Sequence, residues 1–302
     1  MAAMLIEGNK HEIKFIDASS ISTFTRCPAK YFFSRLEGYS TIGSNHIYLD
    51  FGTAMHRALP LCYNDLSAGI KEFTESWKEY SHGNSDDKRN PGNAMLMLQD
   101  FHRLRNPNVC PYEILEFPDV VEPTKDKISL FEVPFAIDIG VPVPAIGRID
   151  IPIRWKSTGH IFACDYKTTA EISGRFFDSF RNSAQTILYT IALHYLTGED
   201  VKGMAIEAIR VSKARCETQI MPLYISDYQI QMFTEYVSSM MDRLLDCNEK
   251  QQWPKNICSC NGYSQYGHPT STCEYYNLCN SKNWETQAAG YDKSEPFAPF
   301  EI

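Results

Sequence analysis

The chain has 302 residues, 43% of them hydrophobic and 13% aromatic, which supports a sizeable buried core and argues against wholesale disorder. Its formal net charge of −8 disfavours broad nonspecific binding to nucleic acid but leaves room for a local basic groove. No apolar run approaches the ~18 residues of a membrane span, and the opening MAAMLIEGNKHEIKF lacks a basic segment followed by an apolar one, so the expectation is a cytoplasmic protein with no membrane partner.

Residues 1–16 read as a short strand carrying Ile13, Phe15 and Ile16. Ser19 or Ser20 is expected to cap a helix running to about Leu36, and Cys27-Pro28 inside that span predicts a kink or a break, because proline lacks the amide a helix interior needs. A loop is predicted over 37–50, then a helix from Phe51-Gly52-Thr53 with His56 in its first turns. Residues 64–110 read as polar helix interrupted by the loop HGNSDDKRNPGN (82–93). Residues 112–145 hold short β-like runs such as Leu130–Ile137, and Glu132 there reads as an exposed strand residue rather than an added acid beside a site.

Ala145–Thr169 is predicted to be a β-hairpin turning at Lys156-Ser157-Thr158-Gly159. Side chains alternate faces along His160–Lys167, so Asp165 and Lys167 point the same way, and closing the hairpin brings Asp150 alongside Asp165. Two carboxylates and an ammonium at a sheet edge fit a divalent-metal site. They equally fit an ion pair capping a strand, since Asp-x-Lys also occurs at Asp86-Asp87-Lys88 and Asp200-Val201-Lys202 in polar sequence. After the loop Ala170–Ser173 comes a predicted helix from about Ser179 to Leu196, stopped by Gly198, on which Gln185 and Tyr189 share a face. Strands are expected at Met204–Val211 and Gln219–Tyr224. A long amphipathic helix follows at Tyr228–Glu249, capped by Ser226 or Asp227. The whole reads as a mixed α/β core with a cysteine-rich tail from Trp253.

Of ten cysteines, Cys62, Cys110, Cys164, Cys216 and Cys247 are scattered and read as buried small hydrophobes, whereas Cys258, Cys260, Cys273 and Cys279 crowd the tail. Cys260-x12-Cys273-x5-Cys279 is too open for a standard zinc finger and lacks a fourth ligand. Cys258 would complete a local zinc site; the remote Cys27, in Cys27-Pro28-Ala29-Lys30-Tyr31, would complete a four-thiolate iron–sulfur site.

Taken in order, Phe51-Gly52-Thr53-Ala54-Met55-His56, then Gly147-Arg148-Ile149-Asp150, then Asp165-Tyr166-Lys167, then Gln185-x-x-x-Tyr189 resemble the motifs of the PD-(D/E)XK nuclease superfamily, in the RecB-like exonuclease group that includes CRISPR-associated and phage-encoded members. The resemblance implies a restriction-endonuclease-like fold, a mixed central sheet flanked by helices, with a helical insertion and an iron–sulfur appendage. It implies Mg²⁺ or Mn²⁺ held by His56, Asp150, Asp165 and the carbonyl of Tyr166, with Lys167 as the catalytic lysine and Gln185 and Tyr189 positioning DNA and the site. Asp165 stands where glutamate is commoner in the group. The resemblance also implies a [4Fe-4S] cluster on Cys27, Cys260, Cys273 and Cys279, with Cys258 the alternative to Cys260. Three parts follow: 1–50 with the first cluster cysteine, 51–250 as the nuclease core including the insertion at about 64–110, and 251–302 closing the cluster. The expected activity is a DNA exonuclease on single strands or ends, with recombination, CRISPR or phage DNA-processing proteins as partners. A catalytically silent DNA-binding scaffold and a restriction-type endonuclease are the alternatives. Arg26, Lys30, Arg35, Arg175, Arg181, Arg210, Lys213 and Arg215 are candidate phosphate contacts, and Tyr31, Phe176 and Phe177 candidate stacking rings.

Overall fold

The computed structural model describes residues 5–41, 47–81, 85–115, 131–213, 217–263 and 269–295. Arg215 and Cys216 lie outside them. The chain opens with β1 (Leu5–Glu7) and α1 (Ala18–Arg26). The cap of α1 is Asp17, whose carboxylate accepts from Ser20 N, rather than either expected serine. The break falls at Cys27, which is extended and stops α1; Pro28 then starts α2 (Pro28–Tyr31), where its missing amide costs nothing, and the chain runs on as a π-helical turn, Phe32–Leu36. The expected loop at 37–50 instead contains β2 (Tyr39–Thr41) and the first turn of α3 (Ile47–Ala58). Helices α4 (Leu66–Ser81) and α5 (Pro91–Leu104) occupy the stretch expected to be polar helix, α5 capped by Asn90.

Next come β3 (Tyr112–Ile114), β4 (Val133–Ile137), β5 (Ala145–Ile149), β6 (Ile151–Trp155) and β7 (Ile161–Thr169). The predicted single helix after the hairpin is two: α6 (Gly174–Asp178), capped by Ser173, and α7 (Ala184–Thr197), capped by Ser183. Each serine hydroxyl takes an orphan amide of the next turn, so each starts its own helix. Gly198 closes α7 with φ +67, a left-handed cap that its missing Cβ permits. The chain ends with β8 (Val201–Arg210), β9 (Thr218–Tyr224), α8 (Asp227–Lys250), β10 (Gln252–Pro254), β11 (Asn261–Tyr263), β12 (Pro269–Thr272), α9 (Tyr276–Cys279), α10 (Trp284–Ala288) and β13 (Tyr291–Lys293).

The chain divides into two compact units, one of Met1–Ser44, Ala136–Gly147 and Gln231–Ile302, the other of Asn45–Phe135 and Arg148–Ile230. The second unit is built on a five-stranded sheet, β3-β6-β7-β8-β9. The β6–β7 hairpin is antiparallel, β7–β8 is parallel, and β8–β9 is antiparallel. A parallel pair needs a crossover, and α6 and α7 supply it. On one face of the sheet Phe162, Cys164 and Tyr166 of β7 enter a core with Phe51 and Met55 of α3, Phe73 and Trp77 of α4 and Phe101 of α5.

The first unit joins the two ends of the chain. β1 pairs with β10 and β2 with β13, both antiparallel. Phe32 stacks on Trp253 (5.3 Å) and Phe33 on Tyr275 (5.9 Å), with Trp284 edge-on to both phenylalanines. Asn248 brackets His11, accepting from its amide and donating to its carbonyl. Phe233, Val237, Met240, Met241 and Leu244 of α8 are buried, the face expected from their spacing.

Candidate active site

Hairpin register decides where the acids meet. Ile151 lies opposite Cys164, so Asp150, one residue earlier, reaches the level of Asp165. The Tyr166 amide donates to Asp150 Oδ2 at 2.8 Å, and His56 Nδ1 of α3 lies 3.3 Å from the same oxygen. Asp165 is almost fully buried at 2% exposure; its Oδ1 accepts from Gln185 Nε2 at 2.8 Å and its Oδ2 pairs with the Lys167 ammonium. The Tyr189 hydroxyl bonds in turn to Gln185 and to the backbone of Arg148. His56, Asp150, Asp165, Lys167, Gln185 and Tyr189 therefore come together, from α3, the β5–β6 junction, β7 and α7.

Glu132 joins them, against its reading as an exposed strand residue. It precedes β4, and its φ of 55 is a left-handed conformation that a glutamate rarely adopts. Its amide donates to the Asp150 carbonyl at 2.9 Å, and ligand atoms of His56, Glu132 and Asp150 all lie within 4.8 Å of one another. Local pattern could not reveal this, because the conformation is fixed by a contact 18 residues away in sequence.

Burial pushes the Asp150 carboxyl well above its ordinary pKa, and the neighbouring Asp165 pushes further. Burial lowers the His56 pKa, which favours the neutral imidazole that a metal needs. For Lys167, burial pulls the pKa down, but Asp165 and Asp150 together outweigh it and hold the ammonium above its ordinary value. A neutral imidazole beside crowded carboxylates whose mutual repulsion raises a pKa is a donor set that fits a divalent cation: oxygens suit Mg²⁺, and the imidazole shifts the preference toward Mn²⁺.

On the opposite face of β7 a buried polar chain runs away from the site. Tyr166 donates to Tyr63 (2.9 Å), Tyr63 bonds Tyr112 (2.7 Å), and Tyr112 donates to Glu207 (2.8 Å). Arg105 makes a two-pronged ion pair with Glu207. These residues are scattered in sequence from Tyr63 to Glu207, and their composition alone carries no signal.

In the first unit Cys27, Cys260, Cys273 and Cys279 line one cavity of about 130 Å³, with Arg26, Lys30 and Lys255 around it. Cys258 is exposed and does not line it. The Cys273 amide donates to the Cys260 carbonyl (2.7 Å), and burial followed by the nearby Cys27 pushes the Cys279 thiol up to about 12. Of the scattered cysteines, Cys62, Cys110 and Cys164 are buried as expected and Cys247 is half-buried.

Several candidate DNA contacts are otherwise engaged. Tyr31 and Phe177 are buried, at 3% and 1% exposure, and so cannot stack a base. An aromatic ring beside basic residues has the same sequence signature in a core as on a surface. Lys30 pairs with Glu274, Arg181 with Asp178, Arg210 with Glu217 and Lys213 with Asp87.

The family model described as PD-(D/E)XK nuclease superfamily matches residues 17–280. No curated protein matches the sequence. Among solved structures, a candidate exonuclease from Eubacterium rectale is similar with a TM-score of 0.50 and 12% identity, over 82% of this chain and 87% of that one, a likeness of fold.

Proposed function

Since the chain belongs to the PD-(D/E)XK nuclease superfamily, we propose that it is a divalent-metal-dependent DNA exonuclease, acting on single strands or DNA ends and carrying a structural [4Fe-4S] cluster. The observation that carries the hydrolytic reading is the convergence of His56, Asp150, Asp165, Lys167 and Gln185 around one buried hairpin edge. His56, Asp150, Asp165 and the Tyr166 carbonyl would hold Mg²⁺ or Mn²⁺, with Glu132 as an added carboxylate. When bound, the ion supplies a more acidic water and neutralises charge on the phosphate. Lys167 orients the attacking water and stabilises the anionic transition state. Gln185 fixes the Asp165 carboxylate through its 2.8 Å hydrogen bond, and Tyr189 fixes Gln185.

The cluster reading is supported by the four thiols lining one cavity among cationic side chains. Among the described residues no three of these thiols lie within 4.8 Å of one another. A four-iron cluster holds its thiolates further apart than the ~3.8 Å between the sulfurs of a tetrahedral zinc site with ~2.3 Å bonds. Unpaired cysteines fit a cytoplasmic setting. We assign the partners to recombination, CRISPR or phage-type DNA processing on the resemblance alone. Among the described residues no helix is long and apolar enough to cross a membrane.

The test is end-labelled linear and closed circular DNA, single- and double-stranded, incubated with Mn²⁺ beside the variant Lys167→Ala. Loss of linear but not circular DNA, abolished in the variant, is the expected result. Cutting of circles would mean an endonuclease, and no cutting at all would leave a binding protein.

A further inference from the structure

Next to the site is an open cleft of about 650 Å³ within the second unit. Its inner wall holds His56 and Lys167, and its outer lip holds Tyr48 and Leu49 at the start of α3. Tyr48, Gly52 and His56 follow one another at four-residue intervals, so the lip and the site share one face of that helix. Tyr48 is 53% exposed and Leu49 54%, although Phe51, Ala54 and Met55 of the same helix are completely buried.

The charge of the lining is one-sided. Arg89 and Lys167 supply the positive charge of the lining, and among the described residues no lining side chain is acidic. Arg89 is held at the wall by a 2.9 Å ion pair with Asp86. A basic groove with exposed flat and apolar side chains at its mouth matches the way proteins hold unpaired strands, with phosphates tracked by cations and bases stacked on rings.

We infer that Tyr48 and Leu49 form a base-stacking step at the entrance of this cleft, so that a single unpaired strand enters the site in preference to a blunt duplex end. The inference rests on the nuclease reading above and specifies its substrate. It replaces the buried Tyr31 and Phe177 as stacking groups with two residues that sequence inspection left in a loop.

The test is fluorescence anisotropy at low salt, with EDTA present so that nothing is cut. A labelled oligothymidine is compared with a blunt hairpin duplex of equal length. Tyr48→Ala should weaken oligothymidine binding about tenfold, within the range measured for loss of a base–aromatic stack, and Leu49→Ala should weaken it less, by loss of apolar contact. Tyr48→Phe should keep it, and duplex binding should move less than twofold. The inference is overturned if wild-type protein does not bind the oligothymidine, if Tyr48→Ala binds like wild type, or if strand and duplex weaken equally. Cleavage with Mn²⁺ is scored separately. Tyr48-dependent binding without cleavage would defeat the nuclease reading and leave the stacking step standing; cleavage whose KM for single strands ignores Tyr48 would defeat the stacking step alone.

Discussion

Replacing Arg105 by methionine should cost the second unit about 3–5 kcal/mol, the penalty for stranding a buried charge. Arg105 and Glu207 retain only 5% and 1% side-chain exposure, and the guanidinium holds both carboxylate oxygens. Without it, the Glu207 carboxylate keeps the Tyr112 hydroxyl at 2.8 Å but no counter-charge. Methionine replaces part of the packing, since the guanidinium lies 4.1 Å from the centre of the Phe101 ring, so the loss is mainly electrostatic. The double variant Arg105→Met with Glu207→Leu removes both charges and should regain most of the stability, because apolar substitutes for a buried ion pair are often neutral or better. Tyr63 and Tyr112 would still bond each other. Urea dependence of amide exchange in peptides from β7 and β8 reads this unit specifically. A cost below ~1 kcal/mol for Arg105→Met, or a double variant as weak as the single, would refute the reasoning. The same peptides carry Asp165 and Lys167, so the measurement also reports how firmly the site is held.

Three further outcomes are expected. Gln185→Leu orphans a buried carboxylate oxygen and should lower kcat by about ten- to a hundredfold, from the ~1.5–3 kcal/mol of a hydrogen bond to a charged group; steady-state kinetics with Mn²⁺ check this, and an unchanged kcat would remove the positioning role of Gln185. Asp150 has a folded pKa raised above its ordinary 3.8, so its contribution to metal-free stability is full below that value and falls as pH rises toward the folded pKa. Bound metal displaces that proton, so Mn²⁺ should raise the melting temperature more at higher pH; thermal melts across pH in EDTA and in Mn²⁺ decide it, and Asp150→Asn should flatten the difference. Cys260→Ala should lose the iron of anaerobically purified protein while Cys258→Ala keeps it, as read by iron analysis and visible absorbance.

The hairpin was legible from sequence because its signals are local: alternation, a glycine turn, and charges following an apolar run. Gln185 and Tyr189 were legible as a pair because helix spacing alone puts them on one face. The partner of Gln185, Asp165, needed the parallel β7–β8 register to bring α7 over the strand. The start of α3 was placed a turn late, since the preceding Gly43-Ser44-Asn45 reads as loop and hides the turn that holds Tyr48 and Leu49. Glu132 was undervalued because a left-handed backbone aims it, and Glu207 was invisible because its partner Arg105 is 102 residues away. Gly203 went unremarked too, although a Cβ there would lie 1.9 Å from the Leu223 carbonyl oxygen, so close contact between β8 and β9 requires glycine.

The closing of the first unit by its two ends has a consequence for synthesis. Tyr31, Phe32 and Phe33 leave the ribosome long before Trp253, Tyr275 and Trp284 exist to cover them. At ~5–20 residues per second the wait from Phe33 to Trp284 is roughly 10–50 s. For the last part of that interval, once Ile230 has been made, the rings still await their partners while Asn45–Phe135 and Arg148–Ile230 are already complete. Protection by a chaperone would be needed at the beginning of the chain, and a stalled or truncated product would carry the hydrolytic residues on a folded unit with its aromatic partner surface still open.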